Sequence, residues 1–164
     1  MDIELSVLND FYVNNKSNLK LALLNINSVR HKFAPLSEAL NNSILDVLLL
    51  QETKLDDSFP KSQFEVSDYM QYRCDYKHNS GGLMTHIRND FPQRRRYDLE
   101  KCETRVGRVE LLVVEITLRS EKWIICNMYK QPKTPDDVFI AVYEQLLCDL
   151  TTEKANVVRS CNCW

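Results

Sequence analysis

Three apolar runs in this chain end on polar side chains able to do chemistry. "LALLNIN" ends on Asn25-Ile26-Asn27, "ILDVLLLQET" on Gln51-Glu52-Thr53, and "WIICNMY" on Tyr129. An amide and a carboxylate brought together form a hard-oxygen site. Such a site suits Mg²⁺, which takes one or two carboxylates and keeps room for water and phosphate. Each cluster also has an ordinary reading. Asn25 caps a turn, Glu52 returns the chain to solvent, and Tyr129 is a rim residue with its hydroxyl at the surface. A fourth cluster, Arg94-Arg95-Arg96, is either solvated or a non-specific phosphate contact. His31, His78 and His86 stand in no Asp-His or His-x-x-x-His context, which favours structural or exposed roles. No Walker loop, nucleophile elbow or Rossmann fingerprint is present.

These residues need strands to position them. Residues 19–26 are nearly continuously apolar, as expected of a strand buried on both faces, and residues 45–50 read as a second buried strand. Between them Val29, Phe33, Leu36 and Leu40 recur at helical spacing, with Pro35 in the first turn. A strand, a short helix and a strand make parallel neighbours. Their polar ends, Asn25 and Glu52, then lie side by side, where open α/β folds place their sites. Residues 69–76, and "LMTHIRN" after the turn at 79–82, read as strands. Residues 108–118 and 122–129 form a strand pair joined by "RSE". A helix follows, capped by Thr134, with Pro135 first, acids in its first turn, and Phe139, Val142, Leu146 and Leu150 on its apolar face. A last apolar strand begins at 155–158. The order predicts an α/β or α+β sandwich of sheets covered by helices.

Composition sets the bounds. The chain has 164 residues, 44% hydrophobic and 27% charged, with a formal net charge of −2. That is enough for one domain with a sizeable core and gives no global positive field. No apolar run approaches the length of a membrane span, so neither a membrane nor a disulfide-linked partner is expected and the chain reads as intracellular. Cys126 and Cys148 lie in apolar segments and read as small core residues. Cys161 and Cys163 have no companions for a zinc site. Residues 1–18 read as a variable, poorly ordered lead-in and 19–164 as one domain.

Taken in order, "LALLNINSVRHKF", "DVLLLQETKLDDSFPKSQF", "YRCDYKHNSGGLMTHIRND" and "WIICNMYKQP" resemble the endonuclease/exonuclease/phosphatase superfamily. More narrowly, they resemble the endonuclease domain of non-LTR retrotransposon polyproteins, which also carry a reverse transcriptase. The resemblance runs from about Leu19 to Val158. It implies a four-layer sandwich of two mixed β-sheets flanked by helices. It also implies Mg²⁺-dependent phosphodiester hydrolysis, with duplex DNA as the nicked substrate and the nucleus as the place of action. Asn25 matches an active-site Asn, Glu52 the acidic Mg²⁺ ligand, and Tyr129 the Tyr that contacts the scissile phosphate. Asn27 and Gln51 are motif neighbours. Gly81 and Gly82 match glycines that open a strand.

The sequence also departs from that pattern. The strand after the second helix should end in Gly-Asp-Phe/Leu-Asn, and here it reads "ANVVRSCNCW". With Asn162 on the motif's Asn, Ser160 stands where Asp acts on the nucleophilic water. The later Asp-His motif does not occur within the 164 residues. The resemblance therefore implies a C-terminally truncated domain whose catalytic set is incomplete and whose nicking activity is lost or impaired. One alternative is a non-catalytic nucleic-acid-binding or interaction remnant, in which Arg88, Arg94, Arg95 and Arg96 carry the phosphate contacts. Another is a phosphatase branch of the same superfamily.

Overall fold

The computed structural model describes residues 10, 13–14, 17–100 and 109–152, and the backbone of 156–162. Most of the expected lead-in, 1–18, lies outside the described residues. The elements run β1 (Leu21–Asn25), α1 (Phe33–Asn41), β2 (Val47–Gln51), β3 (Tyr69–Cys74), β4 (Leu83–Arg88), β5 (Gln93–Arg95), β6 (Val109–Leu118), β7 (Glu121–Lys130), α2 (Asp136–Thr151) and β8 (Asn156–Asn162). One four-stranded sheet has the order β1-β2-β4-β3 and the other β5-β6-β7-β8. Each is mixed, because β1 and β2 are parallel, as are β7 and β8, while the remaining pairs are antiparallel.

Three apolar clusters define four layers. Leu36 and Leu40 of α1 pack on Leu48 and Leu50 of the first sheet. Val47, Leu49, Leu83 and Ile87 meet Leu112, Val114, Ile116 and Ile125 between the sheets. Leu146 and Leu150 of α2, with Phe139 and Val142 beside them, cover Val113, Ile124, Cys126 and Met128 on the far side. The result is the expected α/β/β/α sandwich. Strands β2 and β6 present apolar residues to both neighbouring layers, which is why Val47–Leu50 and Leu111–Val114 read as apolar runs.

Several details differ from expectation. β1 is not buried on both faces. It is the edge of its sheet, only β2 flanks it, and Leu23 is 37% exposed. Cys148 is exposed, since at 100° per residue it points away from Leu146 and Leu150, whereas Cys126 is buried as expected. α2 starts one residue later than the Thr134 cap implies: Pro135 takes the cap position without a side-chain bond, and Asp136 and Asp137 form the first turn. The short β5 was hidden inside the arginine run.

The hairpin from β6 to β7 turns on Arg119 and Ser120, with φ of 49° and 69°. A two-residue turn with both residues left-handed favours glycine at its second position. Ser120→Gly is therefore expected to raise stability by about 1 kcal/mol in a denaturant titration. A loss of stability would contradict the strain.

His86 is fully buried in β4. Its Nε2 donates to the Phe64 carbonyl at 2.8 Å, and its ring stacks on Phe33 at 5.6 Å between centroids. Burial pushes its pKa down from 6.5 to about 4. The folded state therefore stays neutral at pH values where the unfolded state takes up a proton. This contribution is complete above pH ~6.5 and is lost as pH falls through ~4, roughly 3 kcal/mol in all. Urea midpoints should drop between pH 7 and pH 4.5 in the native chain and drop less in His86→Gln. Equal drops would show that other groups control the acid limb.

Candidate active site

The parallel register of β1 and β2 ends on the pair Asn25 and Gln51, so the two polar strand ends do lie side by side. Beyond the strands the backbone pairing continues. Ser28 N–H donates to the Glu52 carbonyl at 2.8 Å and Val29 N–H to the Thr53 carbonyl at 3.1 Å. On the other flank Thr53 and Lys54 N–H donate to the Gly82 and Gly81 carbonyls at 3.1 and 2.8 Å. The segment is contorted. Asn27, Ser28, Glu52 and Lys54 all have positive φ, as do Gly81 and Gly82. Each left-handed non-glycine residue costs on the order of 1–3 kcal/mol and persists only where its surroundings enforce it, as at functional sites. Neither glycine tolerates a side chain. A Cβ on Gly81 would stand 2.1 Å from Glu110 Oε1, and one on Gly82 would stand 2.4 Å from Thr53 Oγ1.

The contortion aims Glu52 at the second sheet. Its Oε1 accepts from Asn25 Nδ2 at 3.0 Å and from the Tyr129 hydroxyl at 2.5 Å. Tyr129 comes from β7, across the sandwich. Burial raises its pKa well above the ordinary phenol range, and the bond to Glu52 and the charges of Glu52 and Glu110 raise it further. Tyr129 therefore keeps its proton and acts as a hydrogen-bond donor. Asn25 Oδ1 accepts from Asn27 N–H at 3.2 Å, closing a turn. Lys54 donates to Asn27 Oδ1, and its Nζ stands 3.9 Å from Glu52 Oε2.

The structure thus brings together Asn25, Glu52 and Tyr129, with Asn27 at the rim. Gln51 points the other way, into the space between the sheets. It is fully buried, and its Nε2 donates to the Met128 carbonyl at 2.7 Å and approaches Asn127 Oδ1 at 3.4 Å. Its Oε1 has no hydrogen-bond partner among the described residues, a burial cost of about 1–3 kcal/mol. Glu110 is also buried, accepting from Gly82 N–H at 2.6 Å and from Gln131 Nε2 at 2.8 Å.

The arginines do not join the Glu52 cluster. Arg88 ends β4 at the opposite pole, 3.0 Å from Asp46 and also paired with Asp90. Arg94 and Arg96 bind Glu115 at 3.0 and 2.8 Å, Arg95 binds Glu100 at 2.9 Å, and Arg96 also binds Asp98 at 2.7 Å. The basic groups at the site are others. Lys32 Nζ donates to the Ile26 and Asn27 carbonyls at 2.7 and 3.0 Å, and Arg30 donates to the Lys54 carbonyl at 3.2 Å. Sequence reading missed them because each sits in a turn with no periodic pattern. A groove of about 850 Å³ lies at the far pole, between Lys20, Asp46, Arg88, Arg119 and Trp123, away from this chemistry. On β8, residue 160 is in register with Asn127 and residue 162 with Tyr129.

Two mixed four-stranded sheets packed face to face, each covered by a helix, match known structures. The chain has the endonuclease/exonuclease/phosphatase fold. It is similar to the AP endonuclease LMAP from Leishmania major, with TM-score 0.63 and 19% identity over 92% of this chain and 57% of that one. It is similar to the endonuclease domain of TRAS1, a telomere-specific non-LTR retrotransposon, with TM-score 0.57 and 13% identity over 84% of this chain and 56% of that one. It is also similar to the 3′ phosphatase NExo from Neisseria bound to a product DNA hairpin, with TM-score 0.57 and 19% identity over 88% of this chain and 57% of that one. The chain therefore spans little more than half the length of each. No family model matches the sequence, and no curated protein is similar to it by sequence.

The endonuclease/exonuclease/phosphatase fold puts the donor set to a test of fit for Mg²⁺. Glu52 keeps 21% of its side chain exposed, and among the described residues its Oε2 is approached by the Lys54 ammonium group. Lys54 stands between Glu52 and Asn27 as a tethered cation, so this place already stabilises positive charge. One open carboxylate beside amide oxygens fits a hard cation that retains its waters. Among the described residues no three His, Cys, Asp or Glu side chains gather into a closed cage.

Proposed function

We propose that this chain is a nuclease-type domain that binds the phosphodiester backbone of duplex DNA at Glu52, Asn25 and Tyr129, in the manner of the retrotransposon endonucleases it resembles. The convergence of Asn25 and Tyr129 on one oxygen of Glu52 carries the reading. Phosphodiester hydrolysis needs charge neutralisation on the phosphate, an activated water and stabilisation of the leaving oxygen. Glu52 would hold Mg²⁺, with Asn27 beside it, and the cation would neutralise phosphate charge. Tyr129 keeps its proton, and its hydroxyl can hydrogen-bond a phosphate oxygen when it turns from Glu52. The Asn25 amide has the same capacity, and both are held in place by strand ends of opposite sheets. Lys32, Lys54 and Arg30 give the rim a positive character suited to a polyanion.

Turnover is slow in this reading, because the position matched to the base carries Ser160. Site of action follows substrate, so the nucleus is the proposed compartment. The test is supercoiled plasmid with the full chain. Binding that weakens as salt rises and slow nicking that EDTA abolishes are expected. No binding to duplex DNA at low salt would overturn the DNA reading. Release of phosphate from 3′-phosphoryl ends or inositol phosphates without plasmid binding would move the site to the phosphatase branch.

A further inference from the structure

We infer that Gln51 and Asn127 form an amide clasp that fixes one sheet on the other and so holds the Tyr129 hydroxyl against Glu52. They are positioning residues for the proposed phosphodiesterase site, and the inference rests on that reading. Glu52 and Tyr129 belong to opposite sheets, and their 2.5 Å contact survives no sliding of one sheet past the other. Apolar packing between the sheets is non-directional, and directional bonds across the interface add to it in setting their register. Glu110 supplies one, accepting from Gly82 N–H at 2.6 Å, and the clasp supplies others on the strands that lead to Glu52 and Tyr129. Gln51 Nε2 donates across the interface to the Met128 carbonyl at 2.7 Å, in the residue before Tyr129. Asn127 Nδ2 donates back to the Leu50 carbonyl at 3.2 Å, two residues before Glu52. The same Nδ2 reaches the Met84 carbonyl at 3.3 Å and Thr85 Oγ1 at 3.4 Å, which ties in β4.

Each amide therefore bonds the backbone that carries the other sheet's functional residue. Both are fully buried, and Gln51 Oε1 finds no partner among the described residues. An apolar pair would pack there without that loss, so the directional bonds are what the two amides add. Neither amide touches the exposed face of Glu52, so neither is a ligand or a catalytic group.

A double-mutant cycle on the folding equilibrium of the full chain tests this. In the native chain Tyr129→Phe should lower the folding constant about tenfold, as expected for a hydrogen bond to a carboxylate. In Gln51→Met or Asn127→Leu the same change should cost less than twofold, because the hydroxyl no longer meets Glu52. A merely structural clasp would lower stability and leave the cost of Tyr129→Phe unchanged, and that result overturns the inference. An absence of any effect of Tyr129→Phe in the native chain overturns it as well. Should both clasp variants fail to fold, Thr85→Val removes only one partner of Asn127. It must then shrink the Tyr129→Phe effect, and persistence of the full effect counts against the clasp. The cycle uses neither DNA nor metal, so its outcome is separate from failure of the plasmid assay.

Discussion

Glu52→Gln weakens binding of Mn²⁺, used as a spectroscopic substitute for Mg²⁺, by about 100-fold, roughly 3 kcal/mol at 1.4 kcal/mol per tenfold. The variant is nearly isosteric and keeps an acceptor for Asn25 Nδ2 and the Tyr129 hydroxyl, which now donate to Glu52 at 3.0 and 2.5 Å. What it removes is the negative charge. The other carboxylate of this end, Glu110, is buried and already engaged by Gly82 and Gln131, so it cannot take over. Folding stability should fall by only about 1 kcal/mol, the difference between a charged and a neutral acceptor. The Tyr129 pKa should move down, since the Glu52 bond and charge are two of the causes that raise it. Titration of Mn²⁺ by electron paramagnetic resonance reads the affinity directly. Unchanged affinity in the variant would remove Glu52 from the cation site. Lys54→Met serves as the opposite control: it takes away the tethered ammonium and should tighten Mn²⁺ binding.

The location of this site was legible in the sequence for a physical reason. Strands that pack into a sheet core are largely apolar, so a polar residue at the end of such a run stands out. The runs ending on Asn25, Glu52 and Tyr129 all did. The parallel register that joins Asn25 to Gln51 followed from one short helix between two strands. Gln51 was legible as a motif member but not as an interior one. A strand period of two puts its side chain on the face opposite that of the next residue, and only the packed structure says which face is inward. Asn127 carried a signal that could have been used, an amide inside the apolar run "WIICNMY". A buried amide needs partners, yet nothing local says that they lie on Leu50, Met84 and Thr85.

The arginine run shows the opposite limit. Its charge was plain, but the Glu115, Glu100 and Asp98 side chains that bind it depend on where β5 docks on β6. The left-handed backbone at Asn27, Ser28, Glu52 and Lys54 was also invisible, because none of those residues is glycine. Their strain is imposed by long-range pairing on both flanks. Local preference loses there to the packing of the whole sandwich.

Ser160→Asp should raise the rate of Mg²⁺-dependent plasmid nicking by about 100-fold, within the range of roughly 10²–10⁴ for a positioned general base. The backbone of β8 runs parallel to β7, with residue 160 in register with Asn127 and residue 162 with Tyr129. Position 160 thus adjoins the strand that delivers the phosphate donor, and in the resemblance it is where an Asp acts on the attacking water. Should position 160 share the cation with Glu52, Mn²⁺ affinity rises in parallel. Ser160→Asn is the control, with the same side-chain volume and no base, and it should nick no faster than the native chain. Glu52→Gln placed on Ser160→Asp should cancel the gain, because groups that act on one phosphate are not additive. If Ser160→Asp and Ser160→Asn behave alike, the slow step lies elsewhere in the site and the missing carboxylate at position 160 is not what limits hydrolysis.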